Sequence, residues 1–444
     1  MKKFLALVLC VLVICAGFTA CKSNSPAEDS SSAGPSGEPL RLCADFGVGK
    51  TLTPDGGQEA AVKRFLQSVA DRGGPTDIEI EMIPSEGSER QTALNRIRVE
   101  LMSGKGPDIF LCNCGYLGFT TDQQALFQFP EQAMKRGMFL QLDDYIENAQ
   151  FMEWEKLTPA VMDAGKTEDG QYLLPLSYSF PLTIFLSDDV QPYPASTTWA
   201  QVAQGDDPVL NASAAPLLDN TFVVFGNETD YFSYTWKELA DYDSETLLIS
   251  EEEALKRAEE FFDLQENGEI TSYPHFRGIM DRMLLNPNVM YSHEMNELRQ
   301  GITYTDDLTM VPLYCDQGGA VAAIHTFAGI NAATERPEDA FFVLDVLFLE
   351  SLHKNLSLYD IWTFEEMTVH EGVNFGQLEN VQSAFAEARS QLTSARFVTP
   401  LDGMLNGAVS EYSWLKSRDE ATEETLSELI SKAYSEMKKA LDES

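Results

Sequence analysis

The chain has 444 residues, a formal net charge of −39, and 44% hydrophobic and 10% aromatic content. That is the make-up of a folded protein, too long for one ordinary domain and comfortable for two. So acidic a surface repels nucleic acid and anionic lipid, which excludes both as partners of the folded body and points to no particular ligand.

Residues 1–20 read as a leader. Lys2 and Lys3 form a basic start, and Phe4 to Ala16 is an apolar run too short to span a bilayer. Phe18-Thr19-Ala20-Cys21 resembles the bacterial lipobox, with Phe18 where leucine is usual. That resemblance implies Cys21 as the lipidated first residue of the mature chain, held at the outer face of a bacterial cell membrane; an ordinary secretory leader cut after Ala20 is the alternative. Residues 21–38 are Ser-, Pro- and Gly-rich linker. As a flexible coil of about 17 residues it reaches roughly 20–25 Å. No later segment is long and apolar enough to span a membrane.

From Leu40 the pattern is βαβαβ. Leu40 to Phe46 is a strand with Asp45 at its carboxyl end, Gln58 to Ala70 an amphipathic helix, and Asp77 to Ile83 an alternating strand suited to a sheet edge. A helix follows with Ser88-x-x-Gln91 as its capping box, apolar residues at Leu94, Ile97, Val99, Leu101 and Met102, and a stop at Gly104-Lys105-Gly106-Pro107. Ile109 to Cys112 is a short unbroken apolar run, as in a strand buried on both faces. Ligands collect beyond the carboxyl ends of such strands, so Asn113 to Phe119, with Tyr116, is the first place to look for a cleft. Further on, Ser250-Glu251-Glu252-Glu253 caps a helix reaching Asn267-Gly268, and Pro337 opens another.

Of seven cysteines, Cys10, Cys15 and Cys21 belong to the leader and anchor. Cys43, Cys112, Cys114 and Cys315 show no CxxC spacing, so buried free thiols are expected, with a Cys43–Cys112 bridge as the alternative. Cys112-Asn113-Cys114 has no histidine nearby in sequence, and no metal or other cofactor is expected.

The order helix, GKGPD, strand, glycine-bearing loop at residues 95–118 resembles the first lobe of extracellular solute-binding proteins. So do GMFLQLDDYI (137–146), the segment Tyr172 to Tyr178 that follows a Glu-Asp-Gly-Gln turn, Thr198-Trp199, Phe327 to Leu347 and the last helix, Ala421 to Leu441. This is family 1 of those proteins, the maltose-binding-protein-like receptors of ABC importers. The resemblance implies an α/β fold of two lobes, each a mainly parallel sheet flanked by helices, with a cleft between them. It places one lobe at 39–172 and 316–371 and the other at 173–315 and 372–444. It further implies hinge closure on a small solute, an ABC permease as membrane partner, and a monomer.

Catalytic motifs are missing: there is no GxSxG, Walker loop, HExxH or GxGxxG, and the acidic pairs are what chance gives in so acidic a chain. Five scattered histidines read as structural or surface residues. A non-enzymatic receptor is therefore expected. Sugar receptors combine aromatic platforms with planar polar groups. Asp230-Tyr231-Phe232 resembles the family's acid–Tyr–Phe sugar contact, and Tyr178 lies at the expected crossing between lobes. The candidate ligand set is thus Asp45, Asn113, Tyr116, Tyr178, Asp230 and Tyr231, for a sugar or oligosaccharide. Trp199, Trp362 and Trp414 are read as core or surface, and Trp236 as core or cleft. A surface carbohydrate-active enzyme, or the same fold as a sensor or a peptide or polyamine receptor, are the competing readings.

Overall fold

Leu40–Asp45 (β1) is apolar at almost every position because both of its faces are covered, and five of its six residues are buried. The structure, a computed structural model, describes residues 37–45, 57–84, 87–114, 124–185, 191–203, 234–267, 309–354, 367–372, 379–422 and 424–443. From Pro39 onward the chain is one compact unit. Cys21, the linker to Ser36, Tyr116, Asp230, Tyr231, Trp362 and the histidines 275 and 293 lie outside the described residues. Among the described residues no helix is long and apolar enough to cross a membrane.

Gly57–Ala70 (α1) crosses to Ile78–Met82 (β2), which pairs parallel with β1, and Gly87–Met102 (α2) crosses to Ile109–Asn113 (β3), parallel to β1 on its other side. β2 is the sheet edge, as its alternation predicts, and β3 is buried throughout. Two details of α2 differ from the sequence reading. The helix already begins at Gly87, so Ser88 lies inside its first turn and does not cap it. The buried stripe is Arg90, Leu94 and Ile97, whereas Val99 is 65% and Met102 84% exposed. Spacing explains this: positions 90, 94, 97 and 101 share one face at helical period, and 99 and 102 point away from it.

The short helix Pro130–Lys135 (α3) follows, then Leu173–Ser179 (β4) and Leu182–Phe185 (β5). Trp199–Ala203 (α4) opens on a reciprocal cap in which Thr198 N donates to Gln201 Oε1 at 2.9 Å. Ala240–Asp241 (β6) and Thr246–Leu247 (β7) form a hairpin. Glu251–Asn267 (α5) carries the predicted box, with Ser250 N donating to Glu253 Oε2 at 2.9 Å and Glu253 N to Ser250 Oγ at 3.2 Å. Trp199, read as core or surface, is core, with the Arg257 guanidinium 4.1 Å above its ring.

Thr309–Pro312 (β8) pairs antiparallel with β5, and the chain then returns through Gly318 and Gly319 into Ala320–Ile330 (β9). Both glycines have positive φ, and a Cβ at Gly318 would sit 2.7 Å from Ser196 O, so this turn requires glycine. Pro337–Leu347 (α6) begins with proline in its first turn, as expected. Met367–Thr368 (β10), Leu392–Phe397 (β11), Pro400–Ser417 (α7) and Thr425–Asp442 (α8) complete the chain. α8 buries Leu426, Ile430, Ala433, Met437 and Leu441 along one stripe, a face whose larger side chains each contribute about 1.5–3 kcal/mol.

The main sheet runs β10-β4-β9-β3-β1-β2, with β11 also on β9. Its β2-β1-β3 half is parallel, and helices flank it, which is the expected α/β class. β9 is its pivot. It lies antiparallel to β3 and β4 over its second half and parallel to β11 over its first. Phe110, Phe127 and Phe139 pack edge-on or tilted behind β3, at 4.8–6.0 Å between rings.

Candidate functional site

Beyond the carboxyl end of β3 the backbone continues the ladder by one step, Cys114 N donating to His325 O at 2.7 Å. His325 falls where β9 changes partner: residues up to Ile324 pair with β11, and those from Thr326 pair with β4 across an irregular register. It is the one residue of β9 that is not buried. Around it β4 contributes Ser177 and Ser179, two same-face serines in an otherwise apolar strand. Ser177 Oγ lies 2.5 Å from Thr326 Oγ1, and Ser179 Oγ lies 2.5 Å from His325 Nε2 and 2.7 Å from Tyr234 Oη. Asn113, 6% exposed, ends β3 opposite Thr326. The site is therefore a group of hydroxyl, amide and imidazole functions where β3, β4 and β9 meet and Tyr234 joins them.

Three of the predicted ligand residues can be placed. Asn113 belongs to this group. Asp45 is fully buried: Arg90 Nη1 and Nη2 donate to its two oxygens at 2.7 and 3.0 Å, and Leu126 N donates at 3.3 Å. Arg90 also donates to Pro84 O and Gln124 O, so the pair fastens residues 124–126 over the end of β1. This placement gives Asp45 a structural task in place of the ligand contact expected of it, because both oxygens are taken by a bidentate partner. Tyr178 is likewise fully buried, stacked parallel on Phe180 at 6.1 Å between centroids, and belongs to the core. Trp236 is core too, its carbonyl accepting from Arg396 Nε at 3.2 Å.

The residues missed from sequence are Ser179, His325 and Tyr234. A signal existed, in the lone histidine of VAAIHTFAGI and the alternating serines of LLPLSYSF. Their partnership did not, since 146 and 55 residues separate Ser179 from the other two. The structure also links Cys114 to Tyr234 through His325 and Ser179.

All four cysteines of the body are buried and free. Cys43 and Cys112 lie on adjacent strands but out of register, Cys43 facing Phe110 and Cys112 facing Asp45. Burial, then the neighbouring Cys43 and Asp45, pushes the Cys112 thiol well above the usual range, so these thiols are inert. Among the described residues no group of His, Cys, Asp and Glu could hold a metal ion. A second polar centre joins Arg396 to Asp402, Nη1 donating to Oδ2 at 2.9 Å, and Asp402 also completes the capping box of α7 with Thr399.

No protein-family model and no curated protein sequence matches the chain. Solved structures do. An extracellular solute-binding protein family 1 structure from Alicyclobacillus acidocaldarius is similar over 90% of this chain and 98% of its own, at 14% identity and a TM-score of 0.50. An ABC substrate-binding protein from Listeria monocytogenes in complex with cycloalternan (15% identity, 91% and 98% covered) and a periplasmic oligogalacturonide-binding protein from Yersinia enterocolitica (12%, 91% and 99%) score lower, at 0.47 and 0.46. The first likeness carries the comparison, and it shows that the chain has the fold of the extracellular solute-binding proteins of family 1.

Proposed function

We propose that the chain is the substrate-binding component of an ABC importer, anchored through Cys21 at the outer face of a bacterial cell membrane, and that it captures a sugar or oligosaccharide by closing two lobes. The observation that carries this reading is the double passage of the chain between sheets. β4 leaves the main sheet at Phe180-Pro181 to become β5 of a second sheet, and β8 of that second sheet returns through residues 313–319 into β9. The polar group at His325 lies on this passage. We place the crossing after Ser179 and not at residue 173, since β4 pairs within the main sheet. Ligand contacting both lobes favours the closed form, and reversing a mostly open population takes about 5.5 kcal/mol of differential affinity. Aromatic stacking with several buried hydrogen bonds supplies energies of that order. Asn113, His325 and their neighbours on the floor, with Tyr116, Asp230 and Tyr231 from the adjoining stretches, form the proposed contact set.

Contacts between α3 and the β6–β7 hairpin would help hold the closed form: Lys135 Nζ lies 2.6 Å from Asp243, and Phe129 packs on Tyr242 at 5.8 Å. The ion pair, exposed at Asp243, contributes little. Asp243→Lys should therefore weaken ligand binding by no more than about fivefold, read by calorimetric titration; a larger loss would mean that Asp243 touches the ligand.

A thermal-shift screen tests the function. The panel is maltotriose, mannotriose, cycloalternan, an oligogalacturonide, a tripeptide and spermidine. A saccharide at about 100 times its Kd should stabilise by about 2.7 kcal/mol, several degrees in a protein of this size, without turnover. A response to peptide or polyamine alone would reassign the ligand class, and product formation would favour the carbohydrate-active enzyme.

A further inference from the structure

Helix α3 packs against the β6–β7 hairpin, and in the two-lobe reading above these elements belong to different lobes. Three contacts join them: Lys135 Nζ lies 2.6 Å from Asp243 Oδ2, Arg136 Nη2 lies 3.7 Å from Glu245 Oε1, and the Phe129 ring stands 5.8 Å from that of Tyr242. Both cations sit at the carboxyl end of α3, whereas its first turn carries a carboxyl, Glu131, which is partly buried. The groups that face Glu131 come from every element packed there. They are Glu238 ahead of the hairpin, Tyr242 within it, Arg396 of β11, Asp402 in the first turn of α7, and Lys135 of its own helix. Neither cation is reserved for it. Arg396 Nη1 donates to the fully buried Asp402 Oδ2 at 2.9 Å, and Lys135 pairs with Asp243. Charge reaches Glu131 only through space, since no hydrogen bond holds its carboxyl among the described residues. A carboxyl drawn out of water beside another carboxyl resists ionisation. Burial first, and then Glu238, raises Glu131 to about 7.

We propose that Glu131 is a proton-controlled latch between the lobes, neutral where α3 meets the hairpin in the closed form and ionised when the lobes part. The inference rests on the receptor reading and adds a regulation to it, because closure on the ligand then takes up a proton. In the open form Glu131 returns to water and to its ordinary value near 4.5. Closure is therefore strongest below about 4.5, loses up to tenfold per pH unit as pH rises from there to 7, and is level above 7. Desolvation is the larger part of the effect. Glu238 is exposed, so its share is the part that salt screens. A carboxyl in a contact that never opens would titrate without changing the affinity for ligand.

The test is calorimetric titration of the purified protein with maltotriose, mannotriose and cycloalternan, neutral saccharides that do not themselves titrate, from pH 5 to 8.5. Wild type, E131Q and E238Q are compared, in buffers of different ionisation enthalpy so that protons taken up on binding are counted. The wild type should lose at least about tenfold in affinity between pH 5 and 7.5 and take up a fraction of a proton near pH 6. E131Q, a permanently neutral side chain, should bind as the wild type does at pH 5, stay within about twofold of that value at pH 7.5, and lose the proton uptake. E238Q should show a shallower slope than the wild type. Ligand-free melting temperatures identify a variant that loses its fold, and E238Q serves if E131Q does. His353 and His370 are unchanged in both variants, so any pH dependence they cause persists. A pH dependence and proton uptake equal in wild type and E131Q, or a wild-type affinity flat from pH 5 to 7.5, would overturn the proposal while leaving the receptor intact. Failure of the wild type to bind any of the three at any pH would remove the saccharide-receptor reading, and this proposal with it.

Discussion

Arg90→Ala should cost about 3–5 kcal/mol of folding stability, and Asp45→Ala about the same, the largest single-site losses we expect. The two side chains are 2% and 0% exposed, joined by two hydrogen bonds of 2.7 and 3.0 Å, and either one left alone is an uncompensated buried charge. Arg90 in addition holds the Pro84 and Gln124 carbonyls. Removing it therefore loosens the chain on both sides of the β1 end. Urea denaturation followed by circular dichroism reads the effect as a lower midpoint at unchanged slope. A paired apolar replacement, Asp45→Leu with Arg90→Met, should recover much of the loss, since it removes the charge along with its partner. A cost below about 1 kcal/mol for either single variant would show that the pair is hydrated.

Acidification should destabilise the protein through His353 and His370. Their rings lie 4.9 Å apart in the core; His353 bonds Thr368 Oγ1 and Leu347 O, and His370 bonds Phe348 O. Burial, and then the neighbouring His370, lowers His353 to about 3, and burial lowers His370 as well. The fold thus holds neutral rings while the unfolded chain takes up protons below about pH 6.5. Their contribution is complete above that pH and is lost as the pH falls toward 3, at up to about 1.4 kcal/mol per pH unit for each proton. Glu131 works with the opposite sign. Burial, with Glu238 nearby, raises it to about 7, so its contribution is complete below about 4.5 and is lost as pH rises through 7. His353→Gln should flatten the acid limb of stability against pH and leave the neutral limb alone. Identical acid slopes in wild type and variant would remove the pair from the explanation.

The parts of this fold that were legible in the sequence are those set by local chemistry. The cap at Ser250, proline at the start of α6, the stripe of α8 and the unbroken apolar run of β3 each depend on residues within a few positions of one another. What the sequence hid depends on distant partners. Nothing near Asp45 announces that Arg90 will occupy it, and a carboxylate at a strand end looks the same whether it meets a ligand or a guanidinium. Val99 and Met102 are apolar but sit off the buried stripe, so composition overstated that face of α2. His325 looked like one scattered histidine among five; only the change of strand partner along β9 makes it the polar break of that strand.

Small-angle X-ray scattering of the protein with and without the saccharide that stabilises it most in the screen is the decisive measurement. Two lobes that close on a guest predict a smaller radius of gyration and a shorter maximum dimension in the saturated sample. An unchanged scattering profile at demonstrated saturation would contradict closure, and with it the account of how this chain captures its ligand.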